Sequence, residues 1–182
     1  RGLEKADLVL KDARIVNVFT EEIIRGDIAI QDGIIAGIGS FHGKEERDLA
    51  GSYVCPGYID SHLHLESTLV TPAELVTAAS RHGTTTFIVD PHESANVSGL
   101  AGIDYILDQT EDVKANVYVM MPSCVPATAI DDNGCTLTAE DMVPYLHNSR
   151  ILGLGEVMDS ISVVQGEKSM HDKLELFEGR IR

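Results

Sequence analysis

The sequence predicts an α/β fold in which a parallel sheet is covered by helices and preceded by a small β-rich segment. Three observations carry this expectation. From Tyr53 onward, short apolar runs alternate with helical patterns four times, the signature of successive βα units. Before Tyr53 the chain holds closely spaced strand-like runs joined by turn dipeptides. Of the 182 residues, 43% are hydrophobic, enough to bury a sizeable core. A closed barrel of eight βα units needs about 250 residues, so this length cannot hold a complete one. The expected organisation is a β segment over 1–54 and a βα segment over 55–182.

In the first segment, Asp7–Lys11, Ala13–Val18, Asp27–Ile30 and Ile34–Ile38 read as strands. Breaks are expected at Lys11-Asp12, Glu21-Glu22 and Arg25-Gly26. Asp32-Gly33 predicts a two-residue hairpin, because both residue types tolerate positive φ. The segment is expected to be a small antiparallel unit. Residues 40–52, with Gly43, Gly51 and the charged run Lys44–Asp48, read as a solvated link.

In the second segment, Tyr58–His64 reads as a strand after the Pro56-Gly57 turn. Thr71 and Pro72 mark an N-cap and first helical position, and that helix ends near His82-Gly83. Thr84–Asp90 is the next strand, followed by a helix over Gly102–Thr110. Asn116–Met121 is a third strand, and a helix opens at Thr138 and runs to Asn148. Ile151–Val157 is the fourth strand, with a last helix over Val163–Glu178 interrupted at Gly166.

Charge excludes one large class of function. With 29 acidic against 14 basic residues, the net charge is −15, which opposes binding to nucleic acid. No apolar run approaches the roughly 18 residues of a membrane span, and the first residues do not read as a signal peptide. Cys55, Cys124 and Cys135 are odd in number and lack CxxC spacing. They are expected to be small buried hydrophobes in a reducing cytoplasm.

The sharpest chemical signal is Asp60-Ser61-His62-Leu63-His64-Leu65-Glu66. On a strand, alternate side chains share a face, so Asp60, His62, His64 and Glu66 are expected on one side. Two imidazoles there could grip one divalent metal, although two histidines can also simply fill polar positions at a sheet rim. His64-x-Glu66 also matches half of the cytidine-deaminase zinc signature. The Pro-Cys-x-x-Cys half is missing, which excludes that fold.

Asp90-Pro91-His92-Glu93 ends the second strand, where Pro91 turns the chain. His92 could bind metal or orient a substrate, and Glu93 could accept a proton; Asp90 and Glu93 could instead cap the next helix. In Gly153-Leu154-Gly155-Glu156, the carboxylate closes an apolar strand where an unpaired charge would be costly. A metal shared with His62 and His64 could compensate it, as could a basic side chain. His42, His82, His147 and His171 lie away from strand ends and read as surface or capping residues. No serine sits in a G-x-S-x-G elbow.

Taken together, these stretches resemble the amidohydrolase superfamily, and within it the adenine deaminase family. The resemblance rests on Pro56–Ser67 (PG-x-ID-x-H-x-H-x-ES), Gly83–Thr86, Asp90–Val97 (DPHE-x-AN-V) and Gly153–Met158. It implies a TIM-like (β/α)8 barrel, of which this chain holds about four βα units, flanked by a small β-sandwich segment. It implies a binuclear site of manganese or iron, with zinc also suited to the ligands. His62, His64 and Glu156 match metal ligands, with Glu156 bridging, and His92 is assigned to the metal as well. Glu93 and Glu66 are the expected catalytic carboxylates. The implied reaction is hydrolysis of adenine to hypoxanthine and ammonia in purine salvage. Further ligands lie on later strands in the family, so the chain is expected to be an incomplete portion. It would need either self-association or the missing C-terminal portion. Two alternatives stay open: another amidohydrolase acting on a cyclic amide or amino-heterocycle, and a non-catalytic metal-binding or assembly fragment.

Overall fold

A computed structural model describes residues 4–128 and 130–180. The chain divides into two compact units between Pro56 and Gly57.

The first unit is one mixed sheet. Strands β1 (Ala6–Asn17), β2 (Glu22–Gln31), β3 (Ile34–Gly39) and β4 (Gly43–Asp48) lie in the order β3-β2-β1-β4, and β5 (Tyr53–Val54) also pairs with β1. The Asp32-Gly33 hairpin forms as expected, with both residues at positive φ. The anticipated break at Lys11-Asp12 is a bulge inside β1, where Asp12 adopts φ 51° and the pairing shifts. Likewise β2 runs through Arg25-Gly26 unbroken, with Gly26 opposite Ala13.

Two expectations for this unit are corrected. The charged run within 40–52 is not a loop but strand β4, and β4 and β5 both pair parallel with β1. The unit is therefore mixed, not antiparallel. The reason is that β1 offers an open row of backbone donors and acceptors, which a polar strand satisfies as well as an apolar one. Residues 44–48 leave their side chains exposed. Among the described residues of this unit there is a single sheet, built around Ala13, Ile15 and Ile28.

The second unit is a four-stranded parallel sheet in sequential order: β6 (Tyr58–Leu63), β7 (Thr84–Val89), β8 (Asn116–Met121) and β9 (Ile151–Leu154). Its period-2 apolar residues Phe87, Val89, Val117, Val119 and Met121 form one core with helix residues Val76, Ile103, Ile106 and Met142 and with Phe177. The helices are α1 (Pro72–Ser80), α2 (His92–Ser98), α3 (Leu100–Gln109), α4 (Ala139–Met142), α5 (Ser160–Gln165) and α6 (Lys168–Leu176). Arg150 fastens the end of the sheet opposite the strand C-termini. It donates to the carbonyls of Val117 (3.0 Å) and Leu107 (2.8 Å) and to the Thr110 hydroxyl.

Several boundaries move, each for a local reason. The helix after β7 begins at His92 and breaks at Gly99 (φ 63°), giving α2 and α3 in place of one helix from Gly102. The helix opened by Thr138 has the expected start, since Thr138 and Asp141 form a reciprocal capping box. It tightens after Met142 into a 3-10 turn over Val143–His147, where Pro144 withholds a backbone donor. Thr71 is the N-cap of α1 by backbone geometry, yet its side chain makes no capping bond. Strand β9 stops at Leu154, three residues short of Val157. Gly166 (φ 73°) separates α5 from α6, the interruption expected there.

Among the described residues, no helix is long and apolar enough to cross a membrane. Cys124 is buried as expected, but Cys55 is exposed and Cys135 half-buried. Cys55 immediately follows the two-residue β5, too short to carry it under cover.

Phe87 is 2% exposed at the centre of the larger core, whereas Ile34 is 71% exposed. Phe87→Ala is expected to cost about 3–5 kcal/mol, and Ile34→Ala to stay within about 0.5 kcal/mol of the parent. Urea unfolding of the two variants measures the contrast.

Candidate metal centre

The site lies at the C-terminal ends of β6, β7 and β9. Strand β6 closes at Leu63, whose carbonyl accepts the Asp90 N–H at 2.9 Å. His62 is therefore the penultimate residue of the strand and His64 the first beyond it. The His64 Nδ1–H donates to the Asp90 carbonyl at 2.8 Å, so that in the neutral ring the lone pair is on Nε2. That lone pair faces His62 Nε2 at 3.1 Å, with the two rings edge to face.

The Glu156 carboxylate reaches the same point from β9. Its oxygens lie 3.5 Å from His64 Nε2, 3.8 Å from His62 Nε2 and 3.3 Å from His92 Nδ1. Its backbone is held on both sides: the Glu156 N–H donates to Asp90 Oδ2 at 2.8 Å, and the Ser123 hydroxyl donates to the Glu156 carbonyl. Ser123 is anchored in turn, because buried Lys173 donates to its carbonyl at 2.7 Å. Burial holds the Lys173 ammonium below its ordinary range. Gly155 explains the GxG spacing. A Cβ there would stand 2.1 Å from Asp90 Oδ2, so only glycine lets β9 close on that carboxylate.

His62, His64, His92, Glu93 and Glu156 thus meet at one mouth, although their sequence positions span almost a hundred residues. Glu156 is corrected in one respect. Its side chain is 36% exposed, not enclosed by the strand, because β9 ends two residues earlier.

Glu66 is corrected more fundamentally. It does not share a strand face with His62 and His64, since the chain leaves β6 at Leu63 and forms a 3-10 turn over Glu66–Thr68. From that turn its carboxylate accepts the backbone N–H groups of Glu93 (3.1 Å) and Ser94 (3.2 Å) at the start of α2. Asp60 likewise stays outside the cluster, accepting the His62 N–H. Neither Asp90 nor Glu93 caps α2 through its side chain; Glu66 satisfies those donors instead. The Ser67 hydroxyl meanwhile donates to Glu93 Oε1.

The electrostatics separate the two glutamates. Burial first, and the neighbouring Glu93 carboxylate next, push Glu66 up to about 7. Burial also pushes Glu93 upward, but the Ser67 and Glu66 hydrogen bonds, with His92 and His64 nearby, bring it below its ordinary range. For His64, burial opposes the charged form, yet the Asp90 carbonyl and the surrounding carboxylates raise it overall. Asp90 is raised, chiefly by burial. Three buried atoms of the cluster, Asp90 Oδ1, His92 Nδ1 and Glu93 Oε2, have no hydrogen-bond partner. Imidazole nitrogens and carboxylate oxygens converging without basic side chains form a donor set that fits a divalent cation.

The sequence reading missed three contributors. Ser67 closes the H-x-H-x-ES stretch, which by itself assigns it no role, and Ser123 carries no motif that distinguishes it from other loop serines. Lys173 sits on α6, fifty residues from its acceptor, and only packing brings it there. An open groove of about 570 Å³ adjoins the cluster, lined by Glu66, Ser67, Glu93, Ser94, Val97 and Tyr105 among others.

Strand-end histidines and carboxylates thus converge at the mouth of a parallel βα sheet. The chain belongs to the amidohydrolase family, whose model matches residues 53–177. Its relatives include an adenine deaminase of Desulfitobacterium hafniense, 59% identical over 181 residues, covering 100% of this chain and 32% of that protein. An "adenine deaminase 2" of Carboxydothermus hydrogenoformans is 48% identical over 180 residues, covering 99% and 32%. The chain therefore spans about a third of the length of these curated relatives. Among solved structures, an N-acyl-D-glutamate deacylase of Bordetella bronchiseptica, complexed with zinc and a phosphonate inhibitor, superposes with a TM-score of 0.48. It has 21% identity and covers 65% of this chain and 30% of its own.

The raised Glu66 gives a pH signature in the metal-free chain. Its folded-state value lies above its ordinary 4.5, so the folded chain holds a proton that the unfolded chain releases between 4.5 and about 7. Stability contributed by this group is present at low pH and falls as pH rises through that window. Glu66→Gln is expected to flatten the fall by about 1–2 kcal/mol, a linkage value discounted for partial exposure. Urea unfolding at about pH 5 and about pH 8 checks the sign.

Proposed function

We propose that this chain supplies the first half of the barrel and the first metal-binding loops of an adenine deaminase. The single observation that carries this reading is the convergence of His62, His64, His92 and Glu156 at one strand-end mouth. The whole-chain identity with proteins named adenine deaminase supports the substrate. The β6–β9 sheet is read as four units of a (β/α)8 barrel. Further units would add at β6 and β9, the edges of the sheet. The sheet over 4–56 is read as one layer of the flanking β-sandwich. Three free thiols suit a cytoplasmic setting.

The reaction is addition of water at C6 of adenine and departure of ammonia, leaving hypoxanthine. His62 and His64 would hold one divalent ion through their Nε2 atoms. Glu156 and His92 would complete the set of residues that hold divalent metal; manganese, iron and zinc all suit these donors. When bound, such ions supply Lewis acidity that makes water nucleophilic near neutral pH.

The chain's own residues do the rest. The His64 Nδ1–H bond to Asp90 fixes the ring so that Nε2 faces the site. Glu93, favoured in its ionised form and held through Oε1 by Ser67, keeps Oε2 free to take a proton and pass it to the leaving nitrogen. Glu66, read from sequence as a second catalytic carboxylate, holds the backbone of the Glu93 turn. Its role in this proposal is to position Glu93.

The test replaces the corresponding segment of the Desulfitobacterium hafniense adenine deaminase with this chain. The manganese-loaded chimaera is expected to convert adenine to hypoxanthine, and the isolated 182-residue chain is not. Glu93→Gln in the chimaera should lower kcat by about 10²–10⁴-fold, the range of a lost general acid–base. A soluble, metal-loaded chimaera that leaves adenine unchanged would overturn the proposal.

A further inference from the structure

We infer that Cys124 is a positioning residue for Glu156: with Ser123 it closes a ring of hydrogen bonds that clamps the main chain on the C-terminal side of that carboxylate. The inference rests on the reading above only in taking Glu156 as the group that must be held.

Strand pairing ends before the site is reached. The last backbone bond between β8 and the chain after β9 runs from the Gly155 N–H to the Met121 carbonyl at 2.7 Å. Residues 156–159 then lead to α5 without sheet pairing. Packing does not hold this stretch either, since the Val157 and Met158 side chains are 37% and 42% exposed. Its path is therefore set by what its main-chain N–H and C=O groups meet.

They meet side chains from the loop after β8. The Met158 N–H donates to Cys124 Sγ at 3.1 Å. That distance lies within the range of about 2.7–3.2 Å usual for N–H···O bonds, although sulfur is the larger atom. Cys124 Sγ also lies 3.1 Å from Ser123 Oγ. The Ser123 hydroxyl proton is already given to the Glu156 carbonyl, so the thiol is the donor at this contact. The bonds then run from Met158 N–H to Cys124 Sγ, from Cys124 S–H to Ser123 Oγ, and from Ser123 O–H to the Glu156 carbonyl. They begin and end on the same short stretch of chain.

Both side chains in the ring donate once and accept once, and bonds chained in this way strengthen one another where water is excluded. Cys124 is 3% exposed and Ser123 1%. The base of the ring is fixed in turn, because Lys173 donates to the Ser123 carbonyl. Asp90 holds the Glu156 N–H, and the ring holds the Glu156 carbonyl. The Glu156 Cα is thus pinned through both of its peptide planes, which leaves side-chain rotation as the main freedom of the carboxylate. Cys124 is buried as an apolar residue would be, yet its position calls for a side chain that both accepts and donates.

Two substitutions separate this role from packing. Alanine and serine leave nearly the same space at position 124, but only serine can accept and donate. Amide hydrogen exchange at Met158 is read by NMR in the metal-free 182-residue chain. Cys124→Ala is expected to speed it about 10-fold, and Cys124→Ser to keep it within about 3-fold of the parent. In the chimaera described above, Cys124→Ala should raise the Mn²⁺ dissociation constant and lower kcat, each by about 10-fold, with KM nearly constant; Cys124→Ser should restore both. Ser123→Ala opens the ring at its other member and should speed Met158 exchange as well, which keeps the test readable if Cys124→Ala does not fold. A purely space-filling role predicts the opposite order, serine worse than alanine, and that order would overturn the inference. So would Met158 exchange unchanged in both Cys124→Ala and Ser123→Ala, or faster exchange with Mn²⁺ binding and kcat as in the parent. A parent chimaera that leaves adenine unchanged overturns the proposed function instead, and Met158 exchange with Mn²⁺ binding still decides the role of Cys124.

Discussion

The buried carboxyl residue Asp90 is the junction on which the site depends. Its N–H closes β6 by donating to Leu63, and its carbonyl takes the Nδ1–H of His64. Its side chain takes the N–H of Glu156 and packs against Gly155. One residue at the end of β7 therefore holds both the end of β6 and the segment that follows β9. The parallel sheet brings these segments close; Asp90 determines where their functional groups stop. Gly155 is the complementary concession, since any side chain there would displace the carboxylate.

Around this junction the molecule gathers carboxylates and imidazoles with little positive charge from basic side chains. Such a cluster is unfavourable unless protons or cations neutralise it. The structure divides the burden unevenly. Glu66, buried behind its turn, tends toward the protonated form, whereas Glu93, held by Ser67 and facing the histidines, tends toward the ionised form. Two adjacent carboxyls thereby acquire different roles: one organises backbone, and the other keeps an oxygen available. The acidic excess of the chain as a whole has no such local meaning in the β segment. There Asp27 is satisfied by Lys11 and by the backbone N–H groups of Asp12 and Phe41.

The outer supports act through the backbone. Lys173 on α6 holds the Ser123 loop, and the Ser123 hydroxyl holds the Glu156 carbonyl. A helix on the covering layer thus contributes to the position of a carboxylate at the mouth. This is why loops that look irregular in sequence can present ligands with fixed geometry. Their donors and acceptors are satisfied by elements already locked in the core.

What the sequence by itself determined follows from local rules. Alternating βα periodicity specified the parallel sheet, Asp32-Gly33 specified a hairpin in the first unit, and Thr138 with Asp141 specified a helix start. Histidines two apart near a strand end placed His62 and His64 together, because strand geometry alone gives that pairing. Strand-end placement of His92, Glu93 and Glu156 was also legible once the strands were found. The same local rule failed for Glu66, because it assumed that the strand continued past Leu63. It failed for β4 because polarity does not report whether a neighbouring strand needs a backbone partner. Only tertiary structure decided that Asp90 binds the segments together, that Glu66 caps a helix from another loop, and that Ser123 and Lys173 stand behind Glu156. Each of these is a contact between residues far apart in sequence. Burial and backbone hydrogen bonding select such contacts, and neither is written in the spacing of residues along one strand.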